Sequence, residues 1–225
     1  IAVLVATILG GPGLSTAAAQ GSEAENHFEV GLTHLREGRV DLAIEEFNKA
    51  IKANDKNPYF RKALGHALAG KGKYAEAIVQ YRKALELNPY YVDVRNDLGS
   101  ALVLSGKRDE GKREFLVAYG DPTNPTPEIA AHNMGLALLD EKSYAQAVDW
   151  FRTAIGRNKA YAECYILAAE ALEALGRGAE ALAQLEIGGR EAPTNVALRL
   201  ALGEALFKVG RFGEARGHLE AAIKA

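Results

Sequence analysis

The clearest pattern of apolar and polar positions runs from Pro58 to Tyr91. Apolar residues recur at Ala63, Leu64, Ala67 and Leu68, and again at Ala77, Ile78, Tyr81, Ala84 and Leu85. Spacings of three, four and seven place each set on one helical face, so the stretch predicts two short amphipathic helices. Between them Gly70-Lys71-Gly72-Lys73 predicts a tight turn that tolerates positive φ. Gly65, Ala77 and Ala84 are small where two backbones would cross closely, and Tyr74 and Tyr81 are placed to fill the space around them. Asn88-Pro89 ends the second helix, because proline disfavours the α conformation in the residue before it. The unit has a period of about 34 residues.

Stepping that frame backward from Gly65 reaches Gly31, with Ala43, Phe47 and Ala50 in register, which predicts a repeat over residues 24–57 before the one at 58–91. Forward, Leu98-Gly99, Leu102, Phe115 and Ala118 define a third repeat at 92–125. The frame then slips by two residues, 126–127, inside a loop from Gly120 to Pro127 whose prolines interrupt any helix. The pattern resumes over 128–161 with Met134-Gly135, Leu138, Ala147, Phe151 and Ala154. A fifth repeat spans 162–195, with Ala169 where the glycine is expected, and a sixth spans 196–225 with Leu202-Gly203, Leu206, Ala215, Leu219 and Ala222. Each predicted turn carries a marker: Gly38, Gly72, Gly106, Lys142, Gly176 and Gly210. Gly111 and the Gly188-Gly189 pair fall inside second helices, where each glycine costs about 1 kcal/mol relative to alanine. They read as drift tolerated by strong neighbours, with repeats three and five as the softest.

Leu64, Gly65, Leu68, Ala77, Tyr81, Ala84 and Pro89 stand at the signature spacing of the tetratricopeptide repeat, and the chain resembles that family. The resemblance implies an all-α fold, a right-handed superhelical solenoid of six helix–turn–helix repeats. Each pair buries its apolar face against its neighbours, and the stack presents a concave face.

Composition narrows the function. The net charge is −2, with 25% charged residues and 8% aromatic. That balance argues against a nucleic-acid binder working by phosphate neutralisation, and against an acidic disordered tail. Cys164 is the only cysteine, which excludes an intramolecular disulfide and a cysteine-built zinc site. Residues 1–20 carry no charge, and Ile1 to Leu9 is too short to span a bilayer. The run resembles the apolar region of a secretory leader truncated at its start, with Ala17-Ala18-Ala19 as small residues before a cleavage point at Gln20. The expectation is export to the periplasm.

No catalytic constellation emerges. Gly65 to Gly72 falls one residue short of a phosphate-binding loop, and its context is a helix running into a turn rather than a strand leading into a helix. His27, His34, His66, His132 and His218 show no metal-ligand spacing, and no cofactor is expected. Glu45-Glu46 with Lys49 reads as solvated helix pairing. Ser15 and Ser105 lie in no nucleophile elbow, and Cys164 reads as a small, semi-buried apolar residue.

The family resemblance implies that a ligand would meet the first helix of each pair. By register, the expected partner groove is lined by Phe28, Leu32, Leu35, Tyr59, Lys62, His66, Asn96, Ser100, Val103, Ile129, His132 and Leu136. It continues through Ile166, Glu170, Glu173, Leu200, Glu204 and Phe207, with some of these expected to pack between repeats. An extended peptide or an amphipathic helix is the expected ligand, and neither nucleic acid nor a small-molecule substrate is. A chaperone-tail clamp is disfavoured: Lys62 matches a clamp lysine, but His66 and Asp97 replace asparagines, and Asp97 would repel a terminal carboxylate.

A narrower resemblance rests on Asn124-Pro125-Thr126-Pro127-Glu128 followed by His132-Asn133-Met134-Gly135-Leu136, and on the repeat number. It is to the PilF/PilW/Tgl group of type IV pilus biogenesis proteins, or pilotins. That resemblance implies a non-enzymatic scaffold that binds secretin or pilus-assembly subunits in a Gram-negative envelope, periplasmic or associated with the outer membrane. Peripheral membrane association is compatible with it. Such proteins usually carry a lipid-bearing cysteine at the end of the signal, and none lies between Ile1 and Gln20. The departure points to a soluble periplasmic relative or to another envelope role. The alternatives are therefore a generic periplasmic adaptor of an envelope or secretion complex, and a repeat module of a larger enzyme, which expects coding sequence beyond Ala225.

Overall fold

The structure, a computed structural model, describes residues 12–224, with side chains from Glu23 onward. The described residues form twelve α-helices and no strand. In order they are α1 (Pro12–Arg36), α2 (Val40–Ala53), α3 (Pro58–Gly70), α4 (Tyr74–Leu87), α5 (Val92–Leu104) and α6 (Arg108–Gly120). The series continues with α7 (Pro127–Asp140), α8 (Tyr144–Arg157), α9 (Ala162–Ala174), α10 (Gly178–Glu191), α11 (Val196–Lys208) and α12 (Phe212–Ile223). Helix α1 begins ahead of the expected first repeat, and the expected cleavage point before Gln20 falls within it. The first eleven residues of the expected leader lie outside the described residues. None of the described helices is long and apolar enough to cross a membrane.

One backbone device closes all six predicted turns. In the turn between α3 and α4, Lys73 N–H donates to the Leu68 carbonyl at 2.9 Å and Gly72 N–H to Ala69 at 2.9 Å. These are the paired bonds of a helix C-terminus that ends in a left-handed residue. The same pair recurs from Arg39 and Gly38, Lys107 and Gly106, Ser143 and Lys142, Arg177 and Gly176, and Arg211 and Gly210. The left-handed residue is glycine five times, at φ between 73° and 87°. In the fourth repeat it is Lys142, at φ 59°.

A second device fixes the helix pairs. Cβ atoms built on Gly31, Gly65 and Gly135 would each come within 2.5 Å of a ring carbon, of Phe47, Tyr81 and Phe151 respectively. The glycine is a socket for the ring sixteen residues downstream, and those rings are buried. Burying one such ring stabilises by about 1.5–3 kcal/mol. In the last repeat Gly203 receives Leu219 in the same way.

The fifth repeat inverts the arrangement. Ala169 replaces the socket, and Tyr165 on α9 instead enters a socket at Gly188 on α10, where a Cβ would lie 2.7 Å from the ring. Gly188 is thus not drift: the backbone must lack a side chain there for the ring to pack. The Tyr165 hydroxyl donates to the Lys159 carbonyl at 3.0 Å, so the buried phenol is satisfied.

Helices α6 and α7 are joined by Asp121 to Thr126, where the frame slips. Asp121 Oδ1 accepts from Thr123 N–H at 2.8 Å and Asn124 Oδ1 from Thr126 N–H at 2.9 Å. Asn124 Nδ2 donates back to the Ala118 carbonyl at 2.7 Å. Side-chain amide and carboxylate groups here complete the turn that two prolines deny to the backbone. The described residues divide into two compact units that part between Ala101 and Leu102.

Candidate partner-binding site

In the first unit the expected surface lies on α1, α3 and α5. Asn57 caps α3, its Oδ1 accepting from Tyr59 N–H at 2.9 Å, with Pro58 as the first helical residue. That cap holds Tyr59 at the helix entrance, 59% exposed, edge-on to Tyr91 with ring centroids 5.4 Å apart. Lys62 lies one turn on, its Nζ 4.9 Å from the Tyr91 centroid and 3.6 Å from Asp93 Oδ2. A further turn brings His66 Nε2 to 2.5 Å from Asp97 Oδ2. Asp97 is therefore held by His66, and the carboxylate expected to repel a ligand already has a partner. Burial, offset by the nearby Lys62, raises the Tyr91 phenol above its usual value.

The other expected residues of this unit are less open. Phe28 is half-buried between Phe47 and Phe60, at centroid distances of 5.7 and 4.9 Å, and packs against Ala24 and Ala50. It ties α1 to the helices beside it and offers little surface to a ligand. Leu32 and Leu35 are half-buried. Asn96 is only 6% exposed, its Oδ1 without a hydrogen-bond partner, and the Ser100 hydroxyl donates to its backbone carbonyl at 3.1 Å. His27, on the face toward α2, pairs through Nδ1 with Glu46 Oε2 at 2.6 Å.

In the second unit the expected surface lies on α7, α9 and α11. Ile129 and Leu136 are exposed on α7, while His132 between them is 7% exposed. Its ring stacks on Tyr161 at 5.1 Å and tilts against Phe151 at 6.1 Å, and Nε2 lies 3.5 Å from Glu163 Oε2. Burial is the main cause that pushes the Tyr161 phenol up to about 12. Val103 is half-buried against the apolar cluster of this unit. Ile166 packs against that cluster, whereas Leu200 and Phe207 are exposed. Cys164 is fully buried and its thiol is pushed up to about 12, chiefly by burial, so the thiolate is scarce.

The structure thus gathers Tyr59, Lys62 and His66 on one accessible face of the first unit, and Ile129 and Leu136 on another in the second. Phe28, Asn96 and His132 are taken up largely by packing. Tyr91, Asp93, Tyr161 and Glu163 join these faces although the repeat frame does not single them out. Each sits on, or just before, the next first helix, and the side-chain contacts link residues 31 apart, as in His66–Asp97 and His132–Glu163. Among the described residues no group of histidine, cysteine and carboxylate side chains could hold a metal ion.

Family models described as tetratricopeptide repeat match residues 14–58, 130–161 and 166–225, and one described as TPR repeat matches 65–106. No curated protein sequence matches the chain. Among solved structures, the chain is similar to PilW, described as a widely conserved type IV pilus biogenesis factor. The TM-score is 0.70 at 18% identity, over 87% of this chain and 90% of that one. It is similar to PilF of Pseudomonas aeruginosa at a TM-score of 0.71 and 20% identity, over 89% and 90%. YrrB, described as a TPR protein with an unusual peptide-binding site, is similar at 0.53 and 21%, over 79% and 91%. Six helix pairs closed by the same left-handed turn, glycine sockets in most of them and these matching models lead to one conclusion: the chain belongs to the tetratricopeptide repeat family.

Proposed function

We propose that the protein is a non-enzymatic scaffold that binds a segment of another protein along its first helices, in a pilotin-like role within a Gram-negative envelope. The observation that carries the binding role is the open face that α3 and α7 each present. On them Tyr59, and Ile129 with Leu136, are large, exposed and held on regular helices. Rigid aromatic and aliphatic side chains on a preformed surface cost little entropy on binding and serve as anchors. The pilotin role, with a secretin or pilus-assembly subunit as partner, is supported by the likeness to PilW and PilF over nearly the whole chain. A generic envelope adaptor is the second reading, favoured by the likeness to the peptide-binding YrrB.

A pull-down from envelope extract of a pilus-bearing Gram-negative bacterium tests this. The wild-type protein is compared with a Tyr59→Glu/Leu136→Glu variant, both changes falling on exposed positions and leaving helicity intact. Recovery of a secretin or pilus subunit by the wild type, reduced about tenfold or more by the variant, is expected. Recovery of other envelope proteins without either subunit overturns the pilotin role and leaves the adaptor. Equal recovery by both proteins moves the site off these residues.

A further inference from the structure

The first helices of the second unit combine exposed apolar side chains with a surplus of negative charge. Leu136, Leu200 and Phe207 are exposed along α7 and α11. The three helices α7, α9 and α11 carry six acidic residues against two basic ones. Neither base is available to a ligand: Arg199 donates to the carbonyls of Pro193 and Ala221, and Lys208 Nζ bridges both carboxylate oxygens of Glu173 at 3.0 Å. Asp140 is engaged by Arg108, and Glu163 meets the buried His132. Glu170 and Glu204 are exposed, have no ion-pair partner among the described residues, and share the cleft between α9 and α11 with an apolar floor of Ile166, Ala201 and Ala205. The second helices of the same unit differ. Their glutamates are answered by arginines, as in Arg177–Glu180, Arg211–Glu214 and Arg216–Glu220.

We infer that this surface docks a cationic amphipathic segment of the partner protein, a helix or strand whose apolar residues are flanked by lysine or arginine. Leu136, Leu200 and Phe207 take the apolar side chains. The α9–α11 cleft takes a basic one, its aliphatic stem on Ile166 and Ala201 and its charge between Glu170 and Glu204. The chain's own Lys208 lies in the same cleft in this manner, reaching from α11 to Glu173 on α9. An acidic or neutral segment of the same apolar pattern would leave the two carboxylates desolvated and unpaired. The inference rests on the proposed protein-binding role and adds the chemistry of what is bound.

Fluorescence anisotropy with labelled peptides of about 15 residues tests it. One peptide places leucine at helical spacing with lysine elsewhere, a second replaces every lysine by glutamate, and a third keeps the lysines but replaces leucine by serine. The full chain should bind the first, and bind it more weakly as salt rises, and should bind neither of the others. Glu170→Gln/Glu204→Gln should weaken that binding about tenfold, whereas Glu45→Gln/Glu86→Gln, which removes equal charge from α2 and α4, should not. No binding of the leucine–lysine peptide, equal binding of the glutamate peptide, or equal loss in both variants overturns the inference. The same Glu170→Gln/Glu204→Gln protein in the envelope pull-down separates the two proposals. Undiminished recovery of a secretin or pilus subunit keeps the pilotin role while removing the basic segment from it.

Discussion

Among the described residues, Lys142 alone adopts a left-handed backbone without being glycine. Five equivalent turns use glycine, where the absence of Cβ removes the clash that costs an L-residue about 1–2 kcal/mol in this conformation. Lys142→Gly should therefore raise stability by about 1 kcal/mol, read as a higher urea midpoint at unchanged slope. A lower midpoint would mean that the lysine side chain contributes more than the backbone strain removes. The turn at this position is legible in the sequence, because the repeat frame puts a turn residue there regardless of its identity. The histidine pairings are not. His66–Asp97 and His132–Glu163 join residues 31 apart, a separation set by how far one helix slides along the next rather than by the 34-residue period. Nor does periodicity tell that Phe28 turns into the packing between Phe47 and Phe60.

Helix glycines divide by what stands opposite them. Gly188 in α10 is buried against Tyr165, while Gly217 in α12 is exposed with nothing near the position of a Cβ. Both are helix-interior, and propensity alone assigns both a cost of about 1 kcal/mol relative to alanine. Gly188→Ala should nonetheless destabilise by about 1–3 kcal/mol, since the added methyl meets a buried ring that has no room to retreat. Gly217→Ala should stabilise by about 0.5–1 kcal/mol. Thermal melts of the two variants, shifted in opposite directions, would check the assignment, and a gain for Gly188→Ala would refute the socket. The Gly188-Gly189 pair reads as drift from spacing alone because the fifth repeat carries its ring on the first helix, whereas the signature expects the ring on the second.

For the molecule as a whole, the repeats are held by contacts with their neighbours, so stability is closer to a sum of local terms than to one global quantity. A perturbation should then spread unevenly. Gly65→Val, which drives a branched side chain into Tyr81, should lower amide-exchange protection in α3, α4 and the adjoining α2 while leaving α9 to α12 near their wild-type values. Uniform loss across all helices would show instead that the chain opens as one cooperative body. The number of repeats and their boundaries are readable from spacing because most repeats reuse the same socket and all reuse the same turn. The acidic bias of the first helices in the second unit is harder to see, since it emerges only once the arginines are found to answer the glutamates of the second helices.

The socket also governs where the chain can change length. Glycine and the side chain it receives are sixteen residues apart in four repeats, with the turn between them, so one residue added to or lost from that turn carries the side chain out of its seat. The link between α6 and α7 has no such gauge: it already absorbs two extra residues and closes on its own asparagine and aspartate side chains. A tag, a protease site or a fluorophore-bearing loop belongs at Asp121 to Thr126, and the six short turns within the pairs are the places to leave unedited.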